Sequence, residues 1–141
     1  MKRKQRTEIL ISGSQALAKS LAEEIEQKYS VSIIQEPKNG LVMLKARETA
    51  QKSLFNLGEV LVTECKVRVE GKIGIGIVKG HHPILAYHLA VIDAAILGNL
   101  PETKIWADIL ESEKQNIEEQ RKANNEAILK TKVSFETMDV Q

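Results

Sequence analysis

Cysteine is almost missing from this chain: Cys65 is the only one in 141 residues. One thiol excludes an internal disulfide framework, and it cannot furnish the set of thiolates that an iron–sulfur cluster needs. Aromatic residues are scarce too, at 4%, and Tyr29, Phe55, Tyr87, Trp106 and Phe135 stand far apart. A base-stacking surface needs clustered exposed aromatics, so no nucleic-acid partner is expected. Charge of one sign is not in excess: 20 Lys and Arg against 19 Asp and Glu leave a net charge of +1. No whole-chain field therefore draws the protein to polyanions or to a membrane surface. Long hydrophobic runs are also lacking, because His88 and Asp93 interrupt the longest one, and no membrane span is expected. The basic start, Met1 to Arg6, leads into an apolar stretch that Ser12-Gly13-Ser14 soon ends, which does not make a cleavable leader. The cytoplasm is the expected location.

What is present is a globular composition, 43% apolar and 28% charged. A single domain of this length buries about 68% of its unfolded surface. The most informative stretch is residues 71–97. Its first part, Gly71-Lys-Ile-Gly-Ile-Gly-Ile-Val-Lys-Gly80, puts Ile73, Ile75 and Ile77 on one strand face. Gly74 and Gly76 leave the other face bare, so a helix or another chain can come close to the backbone. The following helix, from Ile84 to Leu97, is apolar nearly all round and carries one carboxylate, Asp93. Such a helix is buried in its own domain or against a partner.

The rest of the chain reads as α+β. Residues 2–11 form a short helix, and Ser14 caps a second one to about Tyr29, with Leu17, Leu21, Ile25 and Tyr29 in one stripe. Residues 31–36 and 41–48 read as strands paired across an Asn39-Gly40 type I′ turn. A loop follows over 49–57. A third strand covers 59–70, with Leu61, Thr63, Cys65, Val67 and Val69 on one face, and the glycine strand makes a fourth. After the apolar helix, Gly98-Asn-Leu-Pro101 is a stop. A last helix over 102–129 has a thin stripe of Ile105, Ile109 and Ile117 flanked by Trp106 and Leu110. The expected architecture is two N-terminal helices, a four-stranded antiparallel sheet, two C-terminal helices and an extended tail. Residues 1–129 form the domain and 130–141 the tail, too polar to fold alone.

Candidate chemistry is sparse. Gly74 to Gly80 superficially suggests a phosphate loop, but these glycines lie inside a strand at period two, and no Lys-Ser/Thr pair follows. A metal site needs histidines converging with a carboxylate or thiolate. His82 and His88 are six apart across Pro83, and Asp93 falls on a different part of the helix from His88. His81 and His82 therefore read as turn residues and His88 as a hydrogen-bonded helix residue. Cys65 has no histidine beside it to make it a nucleophile. Asp93 is costly to bury unless paired. It either meets a cation, an amide cluster or a partner's arginine, or it lies on the exposed edge of the helix.

The segments Gly40-Leu-Val-Met-Leu-Lys-Ala-Arg47 and Phe55-Asn-Leu-Gly-Glu59, the glycine strand with its helix through Ile92-Asp-Ala-Ala-Ile96, and Val133-Ser-Phe-Glu-Thr-Met138 resemble the PhnG family in order along the chain. Where that family has Gly-Arg-Asp, this chain has Gly80-His81-His82. The resemblance implies a subunit of the carbon–phosphorus lyase core complex of phosphonate catabolism. That hetero-oligomer displaces adenine from ATP by a phosphonate, giving ribose 1-phosphonate 5-triphosphate. It also contains the lyase, which uses an iron–sulfur cluster and S-adenosylmethionine. ATP, S-adenosylmethionine and the cluster are expected on other subunits, and no metal on this one. This chain is expected to be a non-catalytic scaffold that binds other core subunits through Gly74, Gly76, Asp93, Val133, Phe135, Thr137 and Met138, and to self-associate when isolated. Competing readings are a small metal- or phosphate-dependent enzyme using His81, His82, His88 and Asp93, and a homo-oligomeric adaptor.

Overall fold

A computed structural model describes the backbone of residues 2–47 and 54–139, and the side chains of 2–45 and 58–130. Helix α1 (Arg3–Ser12) is followed by α2 (Gln15–Lys28), strands β1 (Val31–Arg47), β2 (Leu54–Val69) and β3 (Lys72–Lys79), then α3 (Pro83–Leu97) and α4 (Thr103–Asp139). The Ser14 side chain accepts the Ala16 N–H at 3.2 Å and starts α2. Ala18, Leu21, Ala22 and Ile25 are its buried stripe.

The sheet has three strands, not four, in the antiparallel order β1-β2-β3. The expected hairpin at Asn39-Gly40 does not form. β1 runs straight on, pairing Asn39 with Thr63 and Gly40 with Val62. Pro37, which has no N–H to give a ladder, falls in a register shift between Gln35 and Lys38, so the irregularity is absorbed as a bulge without a reversal. The uninterrupted β2 offers β1 a partner along its whole described length, from Val31↔Val69 to Arg47↔Leu54. Of the expected 49–57 loop, Leu54 onward belongs to β2, and residues 48–53 lie outside the described part. The positive-φ pair is at Glu70 (49°) and Gly71 (78°), where a two-residue turn joins β2 to β3.

Helix α3 is the centre of the domain. It opens on Pro83, whose missing N–H is harmless in a first turn. Leu85, Ala86 and Leu89 to Ala95 are buried against β3, β2 and α2. β3 can lie this close because Gly74 and Gly76 face α3. A Cβ on Gly74 would strike the Ala90 carbonyl oxygen and the Ala94 N–H, and one on Gly76 would strike the Ala86 carbonyl oxygen. The close approach allowed for in the sequence is thus made by a helix of the same chain.

α4 differs from expectation twice. Its buried stripe is Trp106 and Leu110 with Ile117 partly buried, while Ile105 and Ile109 face solvent. The helix is rotated by one residue, about 100°, with the Trp106 indole buried and donating to Glu24 of α2 at 3.2 Å. Nor is there an extended tail, since the helical backbone continues through Asp139. The side chains of Val133, Phe135, Thr137 and Met138 lie outside the described part.

Candidate functional site

A carboxylate on an otherwise apolar buried helix must find donors. Asp93, 4% exposed, has three. Its Oδ1 accepts from Arg6 at 2.8 Å, and its Oδ2 accepts from Arg3 at 2.6 Å and from the Ile75 backbone N–H at 2.9 Å. The exposed-edge alternative is thereby closed in favour of pairing, with cations from the chain's own α1. Burial pulls the Arg6 pKa down while Asp93 opposes it, so the guanidinium depends on this carboxylate. The Ile75 amide belongs to β3, which pairs with β2 on one side alone, so Asp93 also blunts an open sheet edge. α1, β3 and α3 enclose a groove of about 480 Å³ there, with Arg3, Thr7, Leu10, Ile77 and Asp93 in its wall.

The histidines gather elsewhere. His81, His82 and His88 line a pocket of about 340 Å³ with Gln15 and Lys19 from α2. Five residues along a helix is about 140° of rotation, which sends His88 and Asp93 to different sides of α3. The set His81, His82, His88 and Asp93 therefore does not assemble. Among the described residues, no three His, Cys, Asp or Glu side chains are grouped to hold a metal ion.

The corner carrying His81 and His82 is fixed by groups not singled out from the sequence. Buried Thr63 donates its hydroxyl to the Gly80 carbonyl at 2.6 Å and accepts the His82 N–H at 3.0 Å. Asn39 Oδ1 meets His81 Nδ1 at 2.9 Å. Gly80 has φ +86, with the His82 ring folded over it, so glycine is required. Burial holds the His88 pKa below its usual 6.5 against the pull of Glu26 and Glu23, and Lys19 lowers it further. Tyr87 beside it is pushed to about 12 by burial and its bond to Glu26. The signals for these contacts were the two demands of the sequence itself: a buried Asp needing cations, and a Thr on an apolar strand face needing a partner.

A third feature is apolar. Leu41, Val42, Met43 and Leu44 of β1 and Leu61 of β2 are all exposed by 41% or more, and they alternate between the two sides of the ribbon. Among the described residues, no helix is long and apolar enough to cross a membrane.

No curated protein matches this sequence. The family described as phosphonate metabolism protein PhnG matches residues 1–140. With the match running through the glycine strand, the Asp93 helix and the whole of α4's described backbone, the chain belongs to the PhnG family and has its role in phosphonate metabolism.

Proposed function

We propose that this chain is a scaffold subunit of the cytoplasmic carbon–phosphorus lyase core complex, supporting formation of ribose 1-phosphonate 5-triphosphate from ATP and a phosphonate. The observation that carries this reading is the β1–β2 arm, apolar on both sides and uncovered by the chain's own helices. A two-stranded ribbon is marginal in water by itself, and covering both faces with other subunits stabilises it. The cluster chemistry does not fit here. Cys65 is fully buried, its thiol pKa is raised by burial, and it has no second cysteine to join it. The iron–sulfur cluster is therefore assigned in this reading to a partner subunit, and the reading places S-adenosylmethionine, ATP and the catalytic residues there too.

The test is co-expression with the other phosphonate-pathway subunits, followed by affinity capture and assay of adenine release. Wild type should co-purify and restore activity, while Leu41→Asp with Met43→Asp should abolish capture and leave the free domain folded. A chain that purifies alone, or a double variant captured as well as wild type, overturns the reading.

A further inference from the structure

We propose that the pocket between the start of α3 and the start of α2 binds a tetrahedral oxyanion, the PO₃ head shared by phosphate and organic phosphonates. This stands on the geometry of this chain and does not depend on its membership of a complex. All three histidines of the protein line one cavity of about 340 Å³, together with Lys19 and the amide-bearing Gln15. No carboxylate lines it, so its titratable lining is entirely basic. A cation site needs ligands that converge on one point, and no three His, Cys, Asp or Glu side chains are grouped to hold a metal ion among the described residues. An anion with several oxygens is the complementary ligand, since imidazolium and ammonium groups donate charge-assisted hydrogen bonds.

The site is built in advance. Thr63, 1% exposed, clamps both the Gly80 carbonyl and the His82 N–H, and Asn39 orients the His81 ring. His82 is also the residue before α3, its side chain makes no capping bond to the first turn, and Ile84 and Leu85 of that turn are among the residues lining the cavity. Around the lining, the charged groups acting on His88 are Lys19, Glu23 and Glu26 of α2, and the neighbouring ring is Tyr87 of α3. The two glutamates favour its protonated form but do not enter the pocket.

The experiment follows the imidazole resonances of the full chain by NMR at pH 6 while inorganic phosphate, methylphosphonate or zinc is added. Phosphate or methylphosphonate should shift the His82 and His88 resonances saturably, with a Kd of about 1 mM or tighter. Whichever of the two binds more tightly identifies the source of the PO₃ group. Lys19→Gln and His82→Gln should each weaken binding about tenfold, the loss of one charge-assisted bond. Thr63→Val, a positioning change, should weaken it while the circular dichroism stays that of wild type. His81→Gln serves as a second ring deletion should Thr63→Val fail to fold. Shifts that do not saturate, binding unaffected by Lys19→Gln and His82→Gln, or a response to zinc alone overturns the proposal.

Discussion

The domain has an inner and an outer half, and they obey different rules. The inner half, α1 to α3 with β3 and the near end of β2, is close-packed backbone on backbone, with its one buried carboxylate satisfied by three donors. The outer half is the far end of the β1–β2 ribbon and the length of α4 beyond Ile117, where every residue from 118 to 130 is exposed. Secondary structure continues in both. In the inner half tertiary packing sustains it, whereas among the described residues the outer elements bury few side chains of their own. Folding requires the first half. The second is surface available for other contacts.

The sharpest way to break this contrast is to remove Asp93. Asp93→Ala strands Arg6, whose side chain is 9% exposed, and should cost about 3–5 kcal/mol in urea unfolding. Gly76→Val should follow, at about 3 kcal/mol or complete loss of fold, because its Cβ meets the Ala86 carbonyl and the Ala90 N–H, backbone atoms that cannot swing away. A fully stable Gly76→Val protein would mean that β3 and α3 are not packed as described. In the outer half the same order of insult should do almost nothing to the free chain: Leu41→Asp should stay within about 0.5 kcal/mol of wild type while capture of core subunits is lost. Deleting residues 130–141 should leave the melting temperature within a few degrees and weaken capture, with Phe135→Ala reproducing much of that loss. If the deletion unfolds the domain, α4 belongs to the inner half.

Acid should produce the smallest effect. His88 takes a proton less readily when folded than when unfolded, because burial disfavours its charge. Its contribution is therefore complete above pH 6.5 and declines as the pH falls through and below that value, and His88→Gln should flatten the slope. Glu102 is held below its usual range by its own backbone N–H, with smaller help from Tyr29 and Lys28. Its contribution is present above pH 4.5 and is lost on further acidification.

Much of the inner half was legible because its residues allow few alternatives. Gly74 and Gly76 at period two announce a close approach and Ser14 a helix start, while the lone Asp93 of an apolar helix left pairing and an exposed edge open until Arg3 and Arg6 were placed beside it. The outer half misled for the same physical reason that it is outer. Asn39-Gly40 has ideal turn chemistry, yet a local preference worth little yields to a ladder that pairs β1 with an unbroken β2. The end of α4 carries too few apolar residues in sequence to reveal whether it stays helical, since a mostly polar stretch leaves no periodicity to read. The histidine pocket was invisible for a third reason. Lys19, His82 and His88 come from two helices and a turn, and only the docking of α2 on α3 brings them to one cavity.

The Arg3–Asp93 contact also sets an order of events. Its partners are 90 residues apart, and those of Arg6–Asp93 are 87 apart. On the ribosome α1 is made first, but its Asp93 partner is synthesised only after about two-thirds of the chain. Closing so long a loop is entropically dear before other contacts have gathered the chain, so the ion pair forms after the sheet and α3 have met. Asp93→Ala should then speed unfolding and leave the folding rate nearly untouched, a φ-value near zero.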